Sequence, residues 1–479
     1  MKISCILAFV LIAIYSSAQS GIIWNQEIEV ATINYGNQHP RIVSDRAGNP
    51  LIIWGKILTG EVFFSRWQDT AFTPPVALND SSMRIFTDKW AGPDIASFGD
   101  TVYVVVKEVP EDSNHVFLFR SFDGGLTFNP PVQVENLVDT FARLPSVTTD
   151  SLGNPIVAYI QMDPGAINPR YKVTRSYDFG NSFSNTSLAS MYTGGNVCNC
   201  SPGKIVNSGR YGAFLFRDDF SNFRTIWCGI SDDNCESFPT GIPVDQTGWN
   251  ITSCPLSGPD AVIVGDSVYT VFMSGATGDA MCYISSASLS TVWPGPTKEL
   301  TGAMAGLSNQ NYPAISNNEG KVAVVCRQTM NGVGQLVLFF TSDIQNGLPQ
   351  TYDTLVNGNI SNGDVVLNDA VHVVWQDDNS ETIKYSKGVF STTSSQEIKD
   401  ISNDLILYPN PATGSFSISL PGKLSHIQKV IIYDSTGRIV QSAYNENLSK
   451  VEIDLPAGFY LINAVDAKMN IHRSKIMVR

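Results

Sequence analysis

The sequence predicts an all-β protein, in which a seven-bladed β-propeller is followed by a small C-terminal β-sandwich. The main observation is a β-rich pattern, led by proline, that recurs at spacings of 53, 52, 57, 57 and 54 residues. The prolines are Pro40, Pro93, Pro145, Pro202, Pro259 and Pro313. A repeat of this length, filled with short strands and rich in turn formers, is typical of propeller blades rather than of solenoid coils. A seventh copy begins at Asp364 without a proline, so six blades are the alternative if that copy is not a full blade.

Each repeat supplies an innermost strand, a second β-rich strand, and two further strands. The last copy has a third strand at 382–385 but no obvious fourth strand. The isolated β-rich segment 28–33 near the N-terminus could fill that position. Closing the ring with the two ends of the propeller would remove exposed sheet edges.

A turn motif recurs within three of the repeats, at 121–128, 176–183 and 231–238. Its pattern, Ser-x-Asp-x-Gly-x-Ser/Thr-aromatic, resembles the Asp-box of sialidase-like β-propellers, with Cys235 replacing the glycine in the third copy. The resemblance places these turns at the end of the blade opposite to the ligand-binding loops. Asp123, Asp178 and Asp233 are therefore interpreted as structural braces of the turns rather than as catalytic residues.

The chain begins like a secretory signal peptide at residues 1–18. Lys2 precedes a short apolar run at 6–14, and Ser16-Ser17-Ala18 offers a small-residue cleavage site. The apolar run is too short to span a membrane, and no later segment is a candidate, so we expect no membrane span in the mature chain. The formal net charge of −13, without stripes of Lys and Arg, argues against a nucleic-acid partner.

Seven cysteines remain after the signal peptide, all between Cys198 and Cys326. In a secreted protein, Cys198 or Cys200 pairing with Cys254 is one expectation, and Cys228 and Cys282 are interpreted as buried thiols. Histidine is absent from this region of the sequence, so we expect no metal site and no cofactor.

A polar linker at 391–403 separates the propeller, residues 19–390, from a C-terminal domain at 404–479. This segment resembles the C-terminal sorting domain of the type IX secretion system of Bacteroidetes. The matching stretches are 407–414, 433–438, 455–460 and 474–479. The resemblance implies that the secretion machinery is a partner, and that the protein is secreted or attached to the outer-membrane surface.

Candidate ligand-binding residues come from loops that precede the innermost strands or follow the second strands, which share one face of a propeller. We call this face the funnel face. The candidates are Arg143, Asp163, Arg217, Asp218, Tyr312, Arg327 and Asp377. Polar side chains of both signs with aromatic neighbours favour glycan binding.

The alternative is a sialidase-like glycoside hydrolase (exo-sialidase), and the arginine pattern tests it. The resemblance to sialidases implies an Arg-Ile-Pro motif and further arginines that bind the substrate carboxylate, because bidentate arginine suits that group. Here Arg143-Leu144-Pro145 is the nearest match, in the third repeat, and the first repeat has Gln38-His39-Pro40 instead. The arginine set is incomplete, so binding is favoured over catalysis and no catalytic residue is assigned.

Overall fold

The structure is a computed structural model, which describes residues 21–31, 35–184, 186–390, 405–420, 426–434, 439–445, 448–466 and 471–479. The chain divides into two compact units, residues 1–391 and 392–479. The expected signal peptide, residues 1–18, and the expected linker, residues 391–403, lie outside the described residues. None of the described helices is long and apolar enough to cross a membrane.

Seven antiparallel sheets of four or five strands make up the first unit, which confirms the seven-bladed propeller. From inside to outside, the strands of blade 1 are Asn37–Ser44, Pro50–Lys56, Glu61–Gln68, then Ala71–Phe72 with Val76–Ala77. Those of blade 2 are Asp94–Phe98, Thr101–Lys107, Val116–Ser121 and Asn129–Gln133, and those of blade 3 are Phe141–Thr149, Pro155–Asp163, Ile167–Arg175 and Ser187–Leu188.

Blades 4 to 7 follow the same order. Blade 4 has Asn196–Val197 and Lys204–Ser208 on the inside, then Tyr211–Asp219, Ile226–Ser231 and Thr240–Pro243. Blade 5 has Asp260–Val264, Ser267–Ser274, Met281–Ser288, then Trp293–Pro294 with Lys298–Glu299. Blade 6 has Leu307–Asn318, Lys321–Met330, Val333–Thr341 and Asp353–Asn357, with a 3-10 turn at Ile344–Asn346, and blade 7 has Ile360–Leu367, Ala370–Asp377 and Thr382–Phe390.

The N-terminal segment completes blade 7, as the sequence predicts. Ile22–Trp24 and Ile28–Glu29 both pair with the third strand, with Ile22 opposite Phe390 and Ile28 opposite Tyr385. Residues 32 and 33 of the predicted segment are not among the described residues. The two ends of the propeller therefore share one sheet, in which the N-terminal strands take the outermost position, and this closes the ring.

The core lies between the blades, and this explains why the second strands are apolar on both faces. In Thr101–Lys107 of blade 2, Val102 and Val104 pack into the cluster shared with blade 1. Tyr103 and Val105 of the same strand pack into the cluster shared with blade 3. Both faces of the strand are covered, so the sequence reads as a continuous apolar run rather than an alternating one.

Hydrogen bonds between innermost strands join neighbouring blades around the axis. Four side chains of the innermost strands each accept a backbone N–H of the next blade. The pairs are Asp364 with Ile42 (3.0 Å), Asp94 with Val147 (3.0 Å), Ser146 with Ile205 (3.3 Å) and Asp260 with Ile315 (2.9 Å). These side chains satisfy backbone donors that no strand partner reaches.

The three Asp-box turns have the same internal hydrogen bonds. Asp123 accepts the Thr127 backbone N–H at 2.9 Å, the Thr127 hydroxyl at 2.7 Å and the Ser121 hydroxyl at 2.7 Å. Asp178 and Asp233 accept equivalent hydrogen bonds in their own turns. Burial raises the pKa of Asp123, but these hydrogen bonds outweigh it and hold the pKa below its ordinary value. Each carboxylate thus accepts three hydrogen bonds within its own turn.

Glycine in the turn is required by both backbone and packing at Gly125. Its φ is +79°, and a Cβ there would lie 2.2 Å from the Phe64 ring of blade 1. Cys235 occupies the same place in the third copy with φ of 64° and is buried. Its backbone N–H still donates to Ser231 at 2.8 Å, so the turn is retained without glycine.

The second unit is a small two-sheet domain. One sheet contains Ile406–Tyr408, Ser415–Ser419 and Lys450–Glu452, and the other contains Ile439–Tyr444, Ile427–Tyr433, Gly458–Asp466 and Ile471–Val478. One apolar cluster, including Phe416, Val430, Val451 and Ile462, draws side chains from both sheets. This is the predicted β-sandwich.

Candidate functional site

The loops of the funnel face meet at one end of the propeller, because the start of each innermost strand pairs with the end of the second strand. Asn37 lies opposite Lys56 in blade 1, and Phe141 lies opposite Met162 in blade 3. Loops that precede the first strand and follow the second are therefore adjacent in each blade. This geometry places the candidate residues on one face, but it does not bring them together.

The axial channel is narrow and strongly polar. Its free volume is about 90 Å³, and it is lined mainly by side chains of the innermost strands. Arg41, Asp94, Lys204, Asp260 and Asp364 all contribute to its wall. The Lys204 ammonium lies 3.1 Å from Asp94. A channel of this size holds a few water molecules and is smaller than a typical ligand pocket of roughly 300–1,000 Å³.

The buried charges of the channel have shifted pKa values. Burial raises the pKa of Asp94, but Lys204, Arg41 and hydrogen bonds from Val147 and Ser146 outweigh it, so the pKa is lowered. Asp364 has no ion pair of that kind with any residue that the structure describes. Burial, with repulsion from Asp260, overcomes the attraction of Arg41 and raises its pKa to about 6.

Aromatic and charged side chains surround the funnel-face end of this channel. We call this set, formed by Lys89, Trp90, Tyr312, Arg327 and Asp378, the channel mouth. Trp90 and Tyr312 are half-buried and line the channel, and Arg327 pairs across the strand with Asn311, the neighbour of Tyr312. Burial raises the pKa of Tyr312, Arg327 opposes this rise, and Asp378 adds to it, so these groups interact electrostatically.

Hydrogen bonds fix one side of the channel mouth. Asp378 lies 3.2 Å from the Lys89 ammonium and accepts a hydrogen bond from the Gln376 amide at 2.7 Å. The Ser361 hydroxyl also donates to Asp378. In contrast, the Arg327 guanidinium has no hydrogen bond or ion pair to any residue that the structure describes. A cationic group close enough to Tyr312 to influence the pKa of its hydroxyl is therefore available to a ligand.

The Arg143 guanidinium already has an ion-pair partner. Its guanidinium forms a bidentate pair with Glu111, at 2.7 and 2.9 Å, and lies 6.0 Å from the centre of the Phe86 ring. Phe86 in turn packs edge-on against Trp90, with ring centres 5.9 Å apart. Arg143 thus supports the wall behind Trp90, and it would have to leave Glu111 to bind a ligand carboxylate.

Arg217 and Asp218 are buried in the blade rather than presented on the face. Arg217 is fully buried and donates to the carbonyl oxygens of Arg224 (2.9 Å), Met273 (2.8 Å) and Ser257 (3.3 Å). Burial lowers the pKa of Arg217 to about 10. Asp218 is 3% exposed, and burial raises its pKa to about 6. Neither group is placed to contact a molecule on the surface.

Asp163 and Asp377 stabilise local turns. Asp163 pairs with Arg170 at 3.0 Å and accepts a hydrogen bond from the Asn168 amide at 2.8 Å, within one hairpin. Asp377 accepts the backbone N–H of Asn379 at 2.8 Å. Of the seven candidates, only Tyr312 and Arg327 are brought together. Three arginines around one point, which the sialidase resemblance implies, are not assembled from Arg143, Arg217 and Arg327.

Lys89, Trp90 and Asp378 are missing from the set of candidates chosen from the sequence. Lys89 and Trp90 lie in the loop before Pro93, which is equivalent to the loop that carries Arg143. The alignment of the repeats therefore indicates that both residues belong to the funnel face. Asp378 follows Asp377 in the same loop, and only the structure shows that Asp378 is the one that faces Lys89.

A wider cleft opens on the same face between blades 3, 4 and 5. Its volume is about 620 Å³, and its lining includes Asn168, Asn196, Arg224, Cys198 and Cys254. Arg224 is buried and pairs with Asp219. Within the part of the chain that the structure describes, the one group of potential metal ligands is Cys198, Cys200 and Cys254, with sulfur atoms within 4.8 Å of one another. A disulfide through Cys254 would leave only one thiol for a metal.

Residues 406–479 match the family described as the secretion system C-terminal sorting domain. The match confirms the predicted sorting domain, and with it export by the type IX system to the cell surface or the extracellular space. No curated protein matches the chain in sequence.

Similar folds occur among solved structures. Trypanosoma rangeli sialidase with the inhibitor DANA is 11% identical, with 93% of this chain and 89% of that chain covered and a TM-score of 0.43. The GH93 α-L-arabinofuranosidase of Fusarium graminearum is 13% identical over 77% and 98% of the two chains, with a TM-score of 0.44. A protein of unknown function from Dyadobacter fermentans is 10% identical over 78% and 100%, also with a TM-score of 0.44. At these low identities and TM-scores, the similarities do not indicate an activity for this chain.

Proposed function

We propose that this secreted propeller binds glycans through its funnel face, at the channel mouth. The observation that supports the proposal is the Arg327 guanidinium, which has no partner among the described residues and lies beside Tyr312. Trp90 borders the same opening. The Asp-box carboxylates are less suited to this purpose, because each already accepts three hydrogen bonds in its own turn.

The chemistry of the channel mouth suits a sugar. Half-buried aromatic rings offer apolar surface to the C–H faces of a sugar ring, and a few convergent polar groups can fix its orientation. Arginine binds a planar carboxylate through two parallel hydrogen bonds, so we expect acidic glycans to bind better than neutral ones. The ligand would rest on the mouth rather than enter the channel, whose volume is only about 90 Å³.

A glycan array probed with the full mature chain tests this proposal. We expect binding to a subset of glycans that carry carboxylate or sulfate groups. Loss of a charge-assisted hydrogen bond costs about 1.5–3 kcal/mol. Arg327→Ala should therefore weaken binding by a factor on the order of 10 to 100.

Arg66→Ala is the matched control. Arg66 is half-buried like Arg327 and also lacks a side-chain partner among the described residues, but it lies near the Asp-box turn of blade 2, at the opposite end of the blade. Its replacement should leave glycan binding unchanged. Equal losses from both variants, or no binding to any glycan, would contradict the proposal. Turnover of a fluorogenic sialoside by the wild-type chain would replace it with the hydrolase alternative.

A further inference from the structure

Three cysteines converge on the funnel face, at the edge of the wide cleft. Cys198 and Cys200 lie in the loop before the strand Lys204–Ser208 of blade 4, and Cys254 lies in the equivalent loop of blade 5. The Cα atoms of Cys198 and Cys200 are 6.7 and 6.5 Å from that of Cys254, and both distances permit a disulfide. The sulfur atoms of Cys198 and Cys200 are 3.9 Å apart.

The geometry allows two disulfides that exclude each other. The Cα separations permit a bridge from Cys254 to either Cys198 or Cys200, but one sulfur can form only one disulfide. Either pairing therefore leaves one thiol next to the bridge. The other four described cysteines, which are Cys228, Cys235, Cys282 and Cys326, are buried in the blades and cannot pair with it. Burial raises the pKa of Cys228 to about 12, so it is unreactive at neutral pH.

The remaining thiol differs in accessibility between the two pairings. Cys200 is half-buried, whereas Cys198 is only 2% exposed. Cys198 is also held by its surroundings, since its backbone N–H donates to the Arg217 carbonyl at 2.8 Å and its sulfur lies 3.6 Å from the Ser201 hydroxyl. The Cys198–Cys254 pairing thus presents a thiol to solvent, and the Cys200–Cys254 pairing hides one. The adjoining cleft of about 620 Å³, which is lined by Cys198 and Cys254, has room for a small molecule.

We propose that Cys198, Cys200 and Cys254 form a thiol–disulfide exchange site that accepts small disulfide compounds. In the internal step, the Cys200 thiolate attacks the sulfur of Cys254. The Cys200–Cys254 bond forms, the Cys198–Cys254 bond breaks, and Cys198 leaves as the thiolate, with no net oxidation. In the external step, the Cys200 thiolate attacks a small disulfide RSSR. A mixed disulfide forms on Cys200, and RS⁻ leaves.

Incubation of the full mature chain with cystamine at pH 8 tests the site. Peptide mapping after an acid quench should find both the Cys198–Cys254 and the Cys200–Cys254 bridge in untreated wild-type protein. Cystamine should add one equivalent of cysteamine, on Cys200, and should shift the population to the Cys198–Cys254 bridge. Exchange requires the thiolate, so below the thiol pKa its rate should fall about tenfold for each pH unit.

Two variants retain a disulfide between the two loops, so an altered result does not stem from loss of the bridge. Cys198→Ser and Cys200→Ser each leave one pairing with Cys254, and each should take up no cysteamine. The denatured wild-type chain provides the count of thiols: seven cysteines after the signal peptide, less two in the bridge, leave five. A single bridge in untreated wild-type protein would overturn the proposal. Uptake by Cys228 or Cys282 instead of Cys200 would overturn it as well.

Discussion

Replacing Asp94 should reveal how much the axial ion pair contributes to the stability of the propeller. The Asp94 carboxylate is 3.1 Å from the Lys204 ammonium, 2.9 Å from the Ser146 hydroxyl and 3.0 Å from the Val147 backbone nitrogen. Asp94→Asn keeps the shape but removes the charge, so Lys204 loses its partner. The Lys204 side chain is 26% exposed, so water compensates in part. We expect a loss of about 3 kcal/mol, at the lower end of the range for broken buried pairs.

A double-mutant cycle separates the pair from its surroundings. Lys204→Met in the Asp94→Asn background removes the unpaired ammonium, so the double variant should recover about 2 kcal/mol of that loss. Urea unfolding followed by tryptophan fluorescence measures these values for the propeller alone, because all eight tryptophans lie between Trp24 and Trp375. Asp100→Asn, in the exposed pair with Arg46, is the control and should change stability by less than about 0.5 kcal/mol. An equally small effect of Asp94→Asn, or no recovery in the double variant, would show that the Asp94–Lys204 pair does not stabilise the propeller.

Three further predictions concern buried charge and export. Asp364 has a folded pKa of about 6, above its unfolded value of 3.8, so this group stabilises the fold as the pH falls from 7 towards 4. Asp364→Asn should remove this part of the pH dependence of the unfolding free energy, measured by urea unfolding. Identical pH profiles of the variant and the wild type would contradict the prediction. Arg217→Met removes three hydrogen bonds to carbonyl oxygens and should lower the free energy of unfolding by about 3 kcal/mol without changing glycan affinity. Loss of glycan binding by a folded variant would instead indicate that Arg217 belongs to the ligand site. Deletion of residues 406–479 should retain the protein in the cell envelope, measured by immunoblotting of culture fractions, and normal release of the truncated chain would refute the role of the sorting domain.

The fold could be predicted because its main determinants are local and repeated. The proline-led stretch marks each innermost strand, and the apolar second strand reflects burial on both faces, as in Thr101–Lys107. The missing fourth strand of blade 7 predicts that the N-terminal segment 28–33 fills that position, and pairing of Ile28 with Tyr385 confirms the closure. Only the detail that two short strands share this task required the structure.

The candidate site could be predicted only in part, because sequence does not show which partner a charged side chain takes. Arg143 and Arg327 occupy the same face, yet Glu111 engages one and no described residue engages the other. The sequence predicts that Arg217 follows a second strand and faces solvent, but Arg217 lies within the strand Tyr211–Asp219 and donates to carbonyl oxygens of neighbouring segments in the interior. Such long-range pairing depends on how the blades pack, so no local sequence pattern predicts it.

A crystal structure with the tightest-binding glycan from the array would show whether the ligand binds at the channel mouth. We expect a sugar packed against Trp90 and Tyr312, with an acidic group within hydrogen-bond distance of the Arg327 guanidinium. A sugar bound on the Asp-box side of the blades, or in the cleft beside Cys254 with the channel mouth empty, would contradict it.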